Sequence, residues 1–247
     1  MNLILDIGNT CCKICLFDDN MLINKYIVKS ETSEILSELN NSIKKNIVER
    51  SIISSVAGNF SEVEEYLNRI SGFNIVFGYG TDVPIKNSYS TPKTLGNDRL
   101  AAVVGASVIF PGRNSLVVDA GTAITYDFLK DGIEYIGGNI APGISLRFKS
   151  LHEHTSKLPL IENYEWKEGF GDCTANAINN GVLQGVKFEI EGYISSLEKK
   201  YSDFAIILTV GDSIFLSKTI KNAIFAEPNL VTIGLNRILN YNVFKNF

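Results

Sequence analysis

The residues with the clearest chemical capacity form a turn near the N-terminus. Leu3-Ile4-Leu5 is an apolar run that ends in Asp6, and Ile7-Gly8-Asn9-Thr10-Cys11-Cys12-Lys13 follows. A buried strand of this kind delivers Asp6 to the lip of a sheet, where Gly8 and Asn9 turn the chain sharply. Gly8 leaves room for a ligand to approach the backbone, Thr10 adds a hydroxyl beside main-chain N–H groups, and Lys13 can neutralise an anion held there. A carboxylate that holds a divalent ion, beside a glycine turn that holds phosphate oxygens, is the equipment of a nucleotide site. An ordinary hairpin with a polar turn would use the same residues.

The chain repeats the pattern. Leu116-Val117-Val118-Asp119-Ala120-Gly121-Thr122-Ala123-Ile124-Thr125 has the same grammar of apolar strand, Asp, any residue, Gly and Thr. Each copy runs on into a second apolar strand and then a polar turn, Asp18-Asp19-Asn20 and Lys130-Asp131-Gly132. Repetition at this spacing predicts two similar halves, 1–112 and 113–247, whose Asp-bearing turns face one another across a cleft. A third constellation is Leu95-Gly96-Asn97-Asp98-Arg99, which opens an apolar helical run. An Asp in a first turn suits the helix dipole on its own. Next to Arg99 and a glycine, it also offers a base and an anion clamp at one mouth. Gly137-Gly138 with Pro142-Gly143 fits either backbone packed against a ligand or a tight structural turn.

The elements that position these residues follow from periodicity. Three strands end at about Val28; an amphipathic helix then spans Ser30–Lys45 with Ile35, Leu36, Leu39 and Ile43 on one face and a Ser/Thr cap. A strand at 51–56, a helix capped by Asn59 or Ser61 and a strand at 73–77 close the first half. Gly78–Lys93 reads as irregular and leads into a helix from about Thr94 to Ala106. The second half predicts strands at 116–119, 122–129 and 133–138, a helix at 144–154 and an irregular stretch from 158 to 171. A long helix at 174–201, a strand at 205–210 and helices at 213–223 and 230–241 complete it. The whole is an α/β chain of two mixed sheets, each a three-stranded meander plus parallel strands, covered by helices.

Bulk properties narrow the function. The chain has 247 residues, 45% hydrophobic and 20% charged, with a net charge of −4. With a pI of about 5.3, that charge argues against binding nucleic acid through phosphate neutralisation. No apolar run reaches the roughly 18 residues needed to cross a membrane, and no basic stretch precedes the apolar N-terminus, so neither a span nor a signal peptide is expected. Cys11, Cys12 and Cys15 alternate faces of one strand, which defeats a shared metal site. With Cys173 they read as small apolar filler in a reducing cytoplasm. His152 and His154, two apart on a helix, diverge and read as structural.

These motifs together resemble the type III pantothenate kinases, members of the superfamily of sugar kinases, actin and heat-shock chaperone ATPases, with a ribonuclease H-like, actin-like ATPase fold. The resemblance covers essentially the whole chain. It rests on Asp6-x-Gly8-Asn9-Thr10-x-x-Lys13, Leu95-Gly96-x-Asp98-Arg99, Asp119-x-Gly121-Thr122-Ala123-x-Thr125 and Gly137-Gly138-x-Ile140-x-Pro142-Gly143 with Leu158-Pro159 downstream. Thr174 with Gly181 after it completes the set. It implies ATP-dependent phosphorylation of pantothenate to 4′-phosphopantothenate, the first step of coenzyme A biosynthesis. Residues 6–13 (Asp6, Ile7, Gly8, Asn9, Thr10, Cys11, Cys12, Lys13) and Thr122 would bind ATP, with Mg2+ at Asp6 and a monovalent cation, K+ or NH4+, at Asp119. Tyr89, Gly96, Asn97, Asp98, Arg99 and Thr174 would bind pantothenate, with Asp98 as general base and Arg99 on a carboxylate or a phosphate. It further implies a cytoplasmic homodimer. A non-catalytic, nucleotide-binding relative acting as an accessory transcription factor would share the fold.

Overall fold

The computed structural model describes residues 1–245 except 44–46, 57, 59, 210–215, 217–219 and 221–223. The helix expected over 213–223 and the Asn59 cap lie outside the described residues. In chain order the first elements are β1 (Asn2–Ile7), β2 (Cys11–Asp18), β3 (Met21–Lys29), α1 (Thr32–Ser42), β4 (Arg50–Ser55), α2 (Ser61–Ile70) and β5 (Phe73–Val76). Next come β6 (Lys86–Asn87), a 3-10 turn at Pro92–Thr94 and α3 (Asn97–Ile109). They are followed by β7 (Ser115–Ala120), β8 (Ala123–Lys130), β9 (Glu134–Pro142) and α4 (Ile144–Glu153). The last are α5 (Thr174–Glu198), β10 (Ala205–Thr209), β11 (Phe225–Ala226) and α6 (Leu230–Lys245).

The chain folds into two compact units. The first comprises Met1–Gly112, Leu129–Ile136 and Asn229–Phe247, and the second Arg113–Phe128 and Gly137–Pro228. Two segments that the sequence counts with the second half, the tip between β8 and β9 and the last helix, therefore pack with the first unit.

In the first unit a sheet runs β3-β2-β1-β4-β5. β1 is antiparallel to β2 and parallel to β4. As the central strand it is covered on both faces, which is why Leu3-Ile4-Leu5 reads as a continuous hydrophobic run rather than an alternation. Leu3, Leu5 and Ile7 pack with Cys12, Ile14, Leu16 and Ile53 against Ile35, Leu39, Val63 and Leu67 of α1 and α2. On the other face Asn2 donates its side-chain amide to Asn236 and Asn240 of α6, each at 2.8 Å. α6 also lies directly on α3. Carbon built onto Gly234 would stand 1.8 Å from Ala101 O, and onto Gly105 2.2 Å from Leu230 O, so the two helix backbones touch where neither has a side chain.

The second unit repeats the plan with β7 parallel to β10 and β10 parallel to β11. Leu116, Val118, Ile124, Tyr126, Ile206 and Leu208 form its core with Phe148 of α4 and Ile178, Val182, Val186, Ile190 and Ile194 of α5. The spacing of four along α5 is the periodicity the sequence shows. No helix among the described residues is long and apolar enough to cross a membrane.

Several local expectations are corrected. The start of α1 has no side-chain cap, because the Ser30 hydroxyl donates instead to Gly8 O at 2.7 Å. α2 is capped by Phe60 without a side-chain bond, and Ser61 is its first residue. α3 begins at Asn97 rather than Thr94, after Pro92 has set a separate turn. The stretch 78–93 is not wholly irregular: β6 pairs in parallel with Glu134–Tyr135. β9 runs through the glycine pair to Pro142.

Candidate active site

The register of the first sheet sets Asp6 between Lys13 of β2 and Ser54 of β4. The three side chains share the face that carries Asn2, opposite the Leu3-Leu5-Ile7 core. Lys13 Nζ lies 3.8 Å from Asp6 Oδ2, with 13% of each side chain exposed. Burial pushes the Asp6 carboxyl above its ordinary range; Lys13 opposes that shift, and the Asp98 carboxylate adds to it. Asp98 therefore lies within electrostatic reach of Asp6. Ser54 is 1% exposed, and its hydroxyl has no hydrogen-bond partner among the described residues.

The turn after Asp6 is built by main-chain bonds. Gly8 N–H donates to Cys11 O at 3.0 Å, Ser30 N–H donates to Thr10 O at 3.3 Å, and the Ser30 hydroxyl holds Gly8 O. Asn9 and Thr10 are left exposed. Ile7 and Cys12 are fully buried in the core, so of the residues expected to hold phosphate these two can offer only main-chain groups. Cys11 is half-buried.

α3 presents Asp98 and Arg99. Asn97 Nδ2 donates to Phe77 O at 2.9 Å and ties the start of the helix to the end of β5. A polar residue there is thus explained by positioning. The Arg99 N–H donates to Asp98 Oδ1 at 2.8 Å, folding the carboxylate against the first turn. The Arg99 side chain is 6% exposed. Its Nη2 donates to the Tyr135 hydroxyl at 3.1 Å, and its Cζ sits 5.7 Å from the Tyr89 ring centroid. The Tyr89 and Tyr135 rings stack, with centroids 6.0 Å apart and planes at 15°. The strand that carries Tyr89 is strapped down: Lys86 N–H donates to Ile133 O at 2.8 Å and Ser88 N–H to Tyr135 O at 3.0 Å. Glu134 accepts from both Lys86 Nζ and the Ser88 hydroxyl, and these bonds hold its carboxyl below the usual range.

The second unit carries the other turn. Asp119 ends β7 as Asp6 ends β1, and the parallel register puts Thr209 of β10 beside it, as Ser54 stands beside Asp6. The Thr209 hydroxyl is fully buried and, like that of Ser54, has no partner among the described residues. Gly121 N–H donates to Ala123 O at 3.0 Å, and Thr122 is exposed. Gly143 N–H donates to Thr122 O at 3.0 Å. A side chain on Gly143 would stand 2.2 Å from Gly121 O and 2.5 Å from Thr122 O. Of the two uses the sequence left open for the Pro142-Gly143 pair, Gly143 therefore serves the structural one, packing backbone behind the turn. Thr174 opens α5 with an exposed side chain.

The first unit alone thus gathers Asp6, Lys13, Gly96, Asn97, Asp98, Arg99 and Tyr89; Asp119, Thr122 and Thr174 belong to the second. Sequence reasoning missed Tyr135, Ser54 and Thr209. The only signal each gave was a hydroxyl inside a predicted strand. Among the described residues no three His, Cys, Asp or Glu side chains gather as a metal cage, and His152 and His154 are exposed.

Known proteins match over this whole framework. The family model for type III pantothenate kinases matches residues 2–196. A type III pantothenate kinase of Phocaeicola vulgatus is 42% identical over 98% of this chain and 99% of its own. One from Bacteroides fragilis is 41% identical over 98% of each. Among solved structures, a Campylobacter jejuni protein described as a Baf family transcriptional activator superposes with a TM-score of 0.61 at 23% identity, over 98% of this chain and 99% of its own. A Sinorhizobium meliloti protein described as a 2-dehydro-3-deoxygalactonokinase gives 0.59 at 13% identity, over 98% and 99%. At those identities the structures establish a shared fold and nothing more.

Proposed function

Because the chain belongs to the type III pantothenate kinase family, we propose that it transfers the γ-phosphoryl of ATP to pantothenate, with Asp98 as general base. The product is 4′-phosphopantothenate, and the step opens coenzyme A biosynthesis. The observation that carries the assignment of Asp98 is its place in the first unit. It is folded on the first turn of α3, adjoining buried Arg99 and within the electrostatic reach of Asp6. An attacking alcohol must lose its proton as it bonds to phosphorus, and a carboxylate at hydrogen-bond distance can take it. Lys13 and the amides of the 8–10 turn are assigned to phosphate oxygens, and Thr122 to nucleotide. Arg99 and Tyr89, with Gly96, Asn97 and Thr174, hold pantothenate. Its carboxylate is the one anionic group the vitamin brings, so we assign Arg99 to it, leaving Lys13 to the phosphates.

The donor sets fit the ions this chemistry employs. Magnesium is bound through one or two carboxylates together with substrate phosphates and water. A desolvated Asp6 with the unanswered Ser54 hydroxyl alongside offers such a set. When bound, it neutralises charge on the transferring phosphoryl group. Asp119 with the unanswered Thr209 hydroxyl offers two hard oxygens for K+ or NH4+. The four free cysteines suit a reducing cytoplasm. We assign dimer formation to α5, where exposed Phe170 and Phe188 flank a groove beside Gly181 and Gly185.

The test is ADP release with Mg2+ and NH4+ present, with and without pantothenate. Release that depends on pantothenate is expected from the intact protein. Asp98→Asn should lose about 10²–10⁴-fold in kcat while binding Mg·ATP and melting as the parent does. No pantothenate-dependent ADP would refute the kinase, and full turnover by the variant would strip Asp98 of its role.

A further inference from the structure

Tyr135 touches both arms of the pantothenate pocket and belongs to neither. Its hydroxyl accepts from Arg99 Nη2 at 3.1 Å, and its ring stacks on Tyr89 at 6.0 Å. The guanidinium of Arg99 lies over the far member of that stack, 5.7 Å from the Tyr89 centroid, so the three side chains close a ring of contacts. Tyr135 is the fixed member. It is 0% exposed, sits in β9, and its carbonyl accepts from Ser88 N–H at 3.0 Å, one residue before Tyr89. An arginine side chain loses much rotamer freedom when it is held in one geometry, and its buried guanidinium must be answered by acceptors.

We propose that Tyr135 is the positioning residue of the pantothenate pocket, its hydroxyl aiming Arg99 at the substrate carboxylate and its ring holding Tyr89. This rests on the reading of Arg99 and Tyr89 as pantothenate contacts. Packing alone would not require the hydroxyl, since phenylalanine fills the same volume in the same stack. The hydroxyl is an acceptor that holds the Arg99 fork, so that the fork meets the carboxylate already oriented. The segments concerned, 86–89, 97–99 and 133–135, are remote in sequence. Only the fold of the first unit brings them together, and a single aromatic then sets the distance between them.

The experiment is Tyr135→Phe in the full chain, read against the parent. A hydrogen bond to a charged group lost in this way predicts a rise in KM for pantothenate of about 10- to 100-fold. The kcat and the KM for ATP stay near the parent values, because contact made equally in ground and transition states moves KM alone. The preference for pantothenate over its neutral carboxamide analogue should shrink by the same factor, a readout that general loosening of the fold would not move. Tyr135→Leu, which also removes the stack, should raise KM further. An unchanged KM and unchanged carboxylate preference in Tyr135→Phe, with the parent turning pantothenate over, would overturn the proposal. So would a fall in kcat at constant KM, which would put Arg99 on the phosphoryl group. Failure of the parent to use pantothenate at all would instead overturn the kinase reading.

Discussion

Asp6 shows what the site costs the fold. Burial, foremost, raises its carboxyl, Asp98 raises it further, and Lys13 at 3.8 Å only partly offsets them. A raised acid favours its protonated form in the folded chain. Its stabilising contribution is therefore complete below the unfolded carboxylate range of about 4 and is lost as pH rises through the raised value. At pH 7 the group therefore works against folding, because the unfolded chain gives up this proton more readily than the folded one. Asp6→Asn, which keeps the shape without the charge, should raise the melting temperature of the ligand-free protein at pH 7. The advantage should vanish as pH falls toward about 4, while binding of Mg·ATP is lost. Melting curves across that range and calorimetric titration with Mg·ATP measure both; equal melting at pH 7 would contradict the argument. Asp6, Lys13, Asp98 and Arg99 were legible in the sequence because charge beside glycine is conspicuous. Tyr135, Ser54 and Thr209 were not, because a hydroxyl in an apolar run reads as filler until strand register reveals its neighbour.

At the scale of elements, the repeated strand–turn–strand unit was legible because a turn of two or three residues with Gly and Thr leaves few alternatives to a hairpin. What escaped were pieces too short for periodicity, such as β6 at Lys86–Asn87 and β11 at Phe225–Ala226. Caps escaped too: Ser30 looked like a helix cap, yet its hydroxyl serves the first turn at Gly8 O. The second turn is supported differently. β9 ends where Gly143 presses its backbone on Gly121 and Thr122, at a spacing no side chain tolerates. Gly143→Ala must push the Thr122 turn away. Overpacking of this kind costs about 1–3 kcal/mol, and here the group displaced is one assigned to nucleotide. The expected outcome is a lower melting temperature together with a KM for ATP raised more than the KM for pantothenate. Steady-state kinetics in both substrates checks the split; equal effects on the two would mean that the turn does not meet the nucleotide.

The chain as a whole is threaded so that its last helix completes the unit in which its first strand lies. A division at residue 112, the natural reading of an internal repeat, misses this because repetition reports ancestry of parts, whereas the packing of α6 is decided by what it buries. Leu230, Val231, Leu235, Ile238 and Leu239 are all buried, as are Asn236 and Asn240, which accept from Asn2. Polar groups at such depth are tolerated only when paired, so the three asparagines fix where α6 lies on β1. From there α6 fixes α3, and α3 fixes Asp98. The contact is bare backbone: carbon at Gly234 would meet Ala101 O at 1.8 Å and Gly105 N at 2.8 Å. Helices this close cannot accommodate a methyl group without separating, and separation moves the first turn of α3. Gly234→Ala should therefore destabilise by about 1–3 kcal/mol, a fall of roughly 2–12 °C in melting temperature for a chain of this size. Its kcat should fall as well, although Gly234 touches no substrate. Gly192→Ala is the matched control, since nothing among the described residues stands within 4 Å of carbon added there in α5. It should be neutral or gain up to about 1 kcal/mol from helix propensity. If both variants lost stability alike, the glycine would matter for backbone freedom rather than for close approach, and the mechanical link from the C-terminal helix to the catalytic carboxylate would be absent.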